Sequence, residues 1–112
     1  MKRDMNLFIK DILQSIEKIE SFSKNLTKEK FMSDKLRQDA IIRNLEVIGE
    51  SAKNIPDSFR NKYSKIPWKE IAGFRDILIH AYFGVNMERV WNIIKKDLSN
   101  LKKEIGKIKI DE

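Results

Sequence analysis

The sequence contains no cysteine and only one histidine, His80. The first absence removes disulfides, thiolate nucleophiles and cysteine-ligated zinc or iron–sulfur sites. The second leaves a single chain unable to assemble a multi-histidine metal site, so metal catalysis would rest on carboxylates alone. No apolar run approaches the ~20 residues that a membrane helix needs, and the amino terminus Met1-Lys2-Arg3-Asp4 lacks a secretory apolar core. Neither membrane insertion nor export is expected, and the chain reads as cytoplasmic. With two prolines and four glycines there is little to interrupt helices. No repeat, low-complexity tract or convincing strand is visible.

What is present is 41% hydrophobic and 36% charged residues in a chain of 112. That is apolar enough to bury a core and too polar for a membrane span, and its length fits one domain, residues 1–112. Lysine and arginine number 23 against 17 acidic residues, a formal net charge of +6 that permits an anionic partner. The excess is uneven: Lys95, Lys96, Lys102, Lys103, Lys107 and Lys109 face only Asp97 and Glu104. Such a stretch can draw phosphates from a distance, although a solvated helix face is the commoner meaning of a charge run.

Apolar residues recur at three- and four-residue steps along most of the chain, the period of amphipathic helices. From Asp4 to about Ser23 the stripe is Phe8, Ile9, Ile12, Leu13, Ile16 and Ile19. Thr27 suits the cap of a short turn through Phe31, and Ser33 the N-cap of a second helix with Asp34 in its first turn. Leu36, Ala40, Ile41, Leu45, Ile48, Ala52 and Ile55 form that helix's apolar stripe, which Pro56 closes. Residues 56–66 read as a connector with one helical turn around Phe59. Pro67 opens the next helix, whose face of Trp68, Ile71, Phe74, Leu78 and Ala81 runs to about Phe83 before Gly84 breaks it. Asn86 caps the last helix, with Met87, Val90, Trp91, Ile94, Leu98, Leu101 and Ile105 in phase, and residues 107–110 are expected to fray. The fold class is therefore all-α, an antiparallel bundle of four main helices plus short helical turns.

The helix after Pro67 carries the chemistry. At ~100° per residue, with Phe74 at the origin, Arg75 falls near 100° and His80 near about 240°, with Ile79, Asp76 and Phe83 between them. Large apolar residues in a water-facing arc call for a cover, and a second copy of the chain across a twofold axis is the simplest one. Asp76 lies one turn before His80, where a carboxylate orients an imidazole and raises its pKa. Arginine and histidine together suit an RNA phosphodiester. The 2′-hydroxyl supplies the nucleophile, histidine the proton transfers, and arginine the cation for charge at phosphorus. One histidine cannot be acid and base in the same step, whereas a symmetric dimer brings two. Taken alone, the same residues would also suit a surface histidine beside an ordinary salt bridge.

The segment Arg75-Asp76-Ile77-Leu78-Ile79-His80-Ala81-Tyr82 resembles the motif of HepT-type toxins, Arg, four residues, His, any residue, Tyr. These toxins belong to the HEPN (higher eukaryotes and prokaryotes nucleotide-binding) superfamily. The flanking blocks are similar in order as well: 36–40, Arg43-Asn44-Leu45-Glu46-Val47-Ile48-Gly49-Glu50-Ser51-Ala52-Lys53, Ile66-Pro67-Trp68, and His80 through Asn86. The resemblance covers nearly the whole chain. It implies a HEPN-like helical fold, a homodimer with a cleft at its interface, an RNA substrate, and metal-independent endoribonuclease activity of a type VII toxin–antitoxin system without a cofactor. By that resemblance Arg75 and His80 are the catalytic pair, with Asp76 in the polar position after the arginine. It also implies a partner, an MntA-type nucleotidyltransferase antitoxin that transfers AMP onto the motif tyrosine, here Tyr82. Two helical turns separate Tyr82 from Arg75 at nearly the same angle, so an anionic adduct there would occupy the arginine. An aromatic at the core edge with its hydroxyl bonded is the other reading of Tyr82.

Arg43, Asn44 and Glu50 are candidates to line the same cleft as substrate-binding residues. Asn44 falls in an apolar stripe where it needs a partner, and Arg43 and Glu50 share a face. Arg37 is a further candidate for substrate phosphate, with a surface salt bridge as its commoner fate. Gly49 inside a helix costs ~1 kcal/mol relative to alanine, which points to a close helix crossing. Trp68 and Trp91 fit core packing better than base stacking. Against the ribonuclease stands a non-catalytic nucleotide- or RNA-binding or dimerisation subunit of a nucleotidyltransferase complex.

Overall fold

The computed structural model describes residues 5–80 and 84–108, with the side chain of His80 outside that description. Among the described residues every regular element is a helix, and the fold is the expected all-α bundle. In order these are α1 (Met5–Ser23), α2 (Lys28–Ser33), α3 (Lys35–Lys53), α4 (Asp57–Lys62), α5 (Trp68–His80), α6 (Met87–Asn92), a π-helical turn (Ile93–Asp97) and α7 (Leu98–Gly106). The last three elements form one continuous rod. Together with α1, α3 and α5 it makes the four main helices predicted from the periodicity.

Helix α3 packs against both α1 and α5, and the final rod packs on α1 and α2. The isoleucines of α1 drive this arrangement: Ile9, Ile12, Ile16 and Ile19 are buried against Ile41, Leu45 and Ile48 of α3 within one core. Phe31 of α2 is fully buried and its ring lies 5.3 Å from that of Trp91. Both tryptophans are core residues, as their spacing predicts, and the Trp68 indole donates to the Tyr63 carbonyl at 3.1 Å. The chain reverses after α1 through Asn25, whose φ of 59° lies in the left-handed region that asparagine tolerates.

Several boundaries differ from the sequence reading. The N-cap of α3 is Asp34, whose carboxylate accepts from Arg37 N at 3.0 Å; Ser33 instead ends α2, its hydroxyl donating back to the Lys30 carbonyl. Leu36, predicted on the apolar stripe, is 83% exposed. The inward position of that turn belongs to Gln38, whose amide donates to the carbonyls of Phe31 and Met32 and so satisfies the open end of α2. The connector holds a real helix, α4, and Arg60 from it donates to the Ala52 carbonyl at 2.6 Å, tying down the end of α3. In the last helix the Leu98 N–H reaches back to the Ile93 carbonyl, five residues away, which inserts a π turn. Ile108, expected to fray, is buried and its N–H donates to Ile105.

Thr27 and Asn86 cap α2 and α6 as predicted. Among the described lysines of the basic stretch, Lys102 pairs with Glu20 at 2.9 Å, Lys107 with Glu104 at 3.1 Å, and Lys95 lies over the Trp91 ring. Glu20 also holds the Lys102 ammonium above its usual pKa through that hydrogen bond. Among the described residues no helix is long and apolar enough to cross a membrane.

The Asp34 cap has a pH signature. The Arg37 backbone N–H and then its guanidinium hold the Asp34 carboxyl below its usual pKa. A carboxylate with a lowered folded-state pKa stabilises fully above its unfolded value and loses that contribution as pH falls through the folded one. Asp34→Ala is therefore expected to lower Tm at neutral pH, with the gap to wild type closing in acid below the ordinary carboxylate range, as thermal denaturation across a pH series would record.

Candidate active site

Arg75 sits in the middle of α5, on the side turned toward α3. Its position depends on Gly49: a Cβ built there would collide with the Cβ of Arg75 and lie 3.1 Å from the Ile71 carbonyl. The predicted helix crossing is therefore real, and it is the catalytic candidate itself that fills the glycine notch. Antiparallel packing extends the match. Gly49 meets Ile71 and Arg75, while Arg43 and Val47, earlier in α3, share a groove with Ile79, later in α5.

That groove, of about 200 Å³, lies among α1, α3 and α5. Its walls are Phe8 and Asp11 from α1, Arg43, Glu46, Val47, Glu50 and Ser51 from α3, and Arg75 and Ile79 from α5. Arg43, Val47 and Glu50 line it because three- and four-residue steps place them on one stripe of α3. The side chain of Arg75 is 22% exposed and bridges two carboxylates. Its Nη2 donates to Glu50 Oε2 at 2.9 Å and its Nη1 to Asp76 Oδ1 at 3.0 Å. Lys53 Nζ stands 4.0 Å from the same Asp76 oxygen. The Arg75 Nε is buried with no hydrogen-bond partner among the described residues.

The structure brings Arg75, Asp76, Glu50 and Arg43 to one neighbourhood. It does not bring Asn44 or Arg37 there. Asn44 finds its partner within its own helix, its amide donating to the Ala40 carbonyl at 2.9 Å. Arg37 joins Asp34 at 2.8 Å and donates to the Phe22 carbonyl at 3.1 Å, fastening the start of α3 to the end of α1. His80 closes α5, one turn beyond Asp76, but its side chain lies outside the described residues, as do Ala81, Tyr82 and Phe83. Sequence reasoning did not foresee the Glu50–Arg75 ion pair, nor that Phe8 and Asp11 would wall the groove. The seven-residue spacing of Arg43 and Glu50 was the available signal for the first; nothing local marks the second.

On α5, Ile79, in the arc between Arg75 and the His80 position, is 40% exposed, and Ile77, about 160° round the helix from Ile79, is 49% exposed. A wider concavity of about 420 Å³ lies between α3, α5 and the final rod, walled mainly by apolar residues such as Ile48, Ile71, Phe74, Ile93 and Leu101. Its lining includes neither Arg75 nor its two carboxylate partners. Arg89 covers one side of it, 4.9 Å above the Phe74 ring. Among the described residues no three of His, Asp and Glu gather closely enough to hold a metal ion.

Comparison with known proteins adds independent findings. The family described as Ribonuclease HepT-like matches residues 12–108. A Methanocaldococcus jannaschii protein named "Gamma-glutamylcyclotransferase and putative RNase" is 50% identical over 108 residues, covering 96% of this chain and 49% of its own. A second protein of that organism, named "Putative RNase", is 47% identical over 107 residues, covering 96% and 88%. The "Probable ribonuclease HepT" of Thermococcus cleftensis is 45% identical over 109 residues, covering 97% and 99%. The chain thus spans about half the length of the first of these relatives and most of the other two. No solved structure matches.

The glycine notch separates two substitutions of the same chemistry. At Gly73 an added Cβ meets nothing within 4 Å, so Gly73→Ala should stabilise the fold by about 0.4–1 kcal/mol. At Gly49 the same change must push α5 away, an overpacking that costs about 1–3 kcal/mol. Urea denaturation of the two variants checks the opposite signs.

Proposed function

Because this chain belongs to the HepT-like ribonuclease family, we propose that it is a metal-independent endoribonuclease toxin of the HepT/MntA type. Arg75 and His80 act at a homodimer cleft in this reading. The observation that carries it is Arg75, whose Cβ is seated on Gly49 and whose side chain lines a groove that also holds Arg43, Glu50 and Ile79. A fixed arginine fork there suits the non-bridging oxygens of a phosphodiester.

The chemistry follows from what RNA brings. Attack of the 2′-hydroxyl on phosphorus needs one group to take its proton and another to protonate the departing 5′-oxygen. His80 supplies one such group per chain, and a twofold axis supplies the second. The partly bare Ile79, in the arc between Arg75 and His80, supports a partner copy on this face. Arg75 stabilises the negative charge that builds on the phosphorus oxygens. Asp76, one helical turn before His80 and already bonded to Arg75, holds the cation and orients the imidazole. A nucleotidyltransferase antitoxin neutralises the site by transferring AMP from ATP to the Tyr82 hydroxyl with release of pyrophosphate, and the adduct's phosphate competes for the same arginine.

A non-catalytic nucleotide- or RNA-binding or dimerisation subunit is the second reading, favoured by the carboxylates that already occupy both Nη atoms of Arg75. Purified, unmodified chain incubated with single-stranded RNA decides between them. Cleavage is expected to leave a 2′,3′-cyclic phosphate, to persist in EDTA and to spare DNA. His80→Ala should lower kcat by about 10²–10⁴-fold; RNA that is bound and never cut would establish the second reading. Intact mass of the chain produced with a co-encoded nucleotidyltransferase should rise in multiples of AMP, a gain absent from Tyr82→Phe.

A further inference from the structure

An arginine binds phosphate most securely along one edge, where the Nε–H and one Nη2–H point the same way and take two oxygens side by side. In this chain Nη2 is already engaged. Glu50 Oε2 takes Nη2 at 2.9 Å, while Nε is buried with no hydrogen-bond partner among the described residues. The other terminal nitrogen, Nη1, is held by Asp76 from the neighbouring position of the same helix. Both two-pronged edges of the guanidinium, Nε with Nη2 and Nη1 with Nη2, use Nη2, so a phosphate bound by two prongs competes there with Glu50.

The geometry points to Glu50 as a resident carboxylate that occupies the phosphate edge of Arg75 in the free chain and yields it to a backbone phosphate of single-stranded RNA. This rests on the reading of Arg75 as the phosphate-binding residue. Three observations carry it further than an ordinary surface ion pair. Glu50 is 52% exposed, so its carboxylate can leave into water at little desolvation cost. Its exit has a receiver: the Asn54 amide, one turn along α3, donates to the Glu50 carbonyl at 2.8 Å and already stands 3.5 Å from Glu50 Oε1. Arg75 also has bonding capacity to spare, since its Nε has no hydrogen-bond partner among the described residues while Glu50 takes Nη2 alone. While Glu50 is in place the guanidinium is kept aimed at the groove and is closed to stray anions that cannot outcompete it. Glu50 is thus a positioning residue with a self-limiting effect on substrate affinity.

The test is a binding and kinetic cycle on the unmodified full chain at one fixed salt concentration, since phosphate affinity depends steeply on salt. The probe is a 2′-O-methyl oligoribonucleotide, which lacks the nucleophile. Glu50→Gln is expected to lower its Kd about threefold to tenfold, with KM for cleavable RNA falling in parallel and kcat not rising. In an Arg75→Ala background the same substitution should change Kd far less. The inference is overturned if neither Glu50→Gln nor Glu50→Ala tightens binding. It is equally overturned if the tightening is undiminished in Arg75→Ala, which would mean only that one negative charge had left the surface. Arg75→Ala by itself keeps the two ideas apart. If it weakens binding while the Glu50 variants do nothing, the phosphate role stands and the Glu50 role falls; if it leaves binding unchanged, both fall.

Discussion

The close approach of α3 to α5 at Gly49 is the constraint on which the rest of the structure depends. An alanine in that place would meet the Cβ of Arg75, an atom that no rotamer change can move out of the way. With glycine there, the two helices lie near enough for Arg75 to start its side chain between them and end it in the groove beside Glu50. Helix α3 is itself held at both ends, by Arg37 reaching the close of α1 and by Arg60 reaching from α4 to the Ala52 carbonyl. The groove therefore inherits its geometry from backbone packing and not from the charges that line it.

Those charges are arranged to be exchangeable. A guanidinium is always protonated and less strongly hydrated than an ammonium, so it tolerates partial burial when carboxylates flank it. Exposed ion pairs of this kind contribute little net stability, typically ~0–1 kcal/mol. Their value here is orientation: the fork of Arg75 is held by Asp76 on one side and Glu50 on the other before any substrate arrives. Both carboxylates stand half in water, but Asp76 is adjacent in sequence and cannot retreat far, whereas Glu50 belongs to another helix.

Much of this was legible in the sequence, and what was not has identifiable physical causes. The isoleucine stripe of α1, the caps at Thr27 and Asn86, the core tryptophans and the crossing at Gly49 all follow from period, capping chemistry and the cost of a mid-helix glycine. Ser33 and Asp34 are both good N-caps, and it is Asp34 whose carboxylate takes both the backbone N–H and the guanidinium of Arg37. Leu36 is spaced for the core but loses the place to Gln38, because the end of α2 leaves carbonyls that an amide can satisfy and a leucine cannot. For the site, spacing put Arg43 and Glu50 on one face, but the bond from Glu50 to Arg75 joins residues on different helices, and no periodicity reports the angle at which helices cross. The partner that Asn44 needs in its apolar stripe is the Ala40 carbonyl of its own helix, a bond that ties it to no neighbouring element.

The π turn of the last helix has a consequence for how this chain tolerates change in length. A π turn holds one residue more than regular helix would need over the same rise. A chain shorter by one residue between Ile93 and Asp97 would run through as plain α-helix, with Leu98 and Ile105 still facing inward. Elsewhere along the rod the same deletion would rotate everything downstream by ~100° and turn its apolar stripe to water. The widened turn is thus a stretch of slack in the reading frame of the bundle, a place where descendants of this sequence can lose a residue and keep the fold.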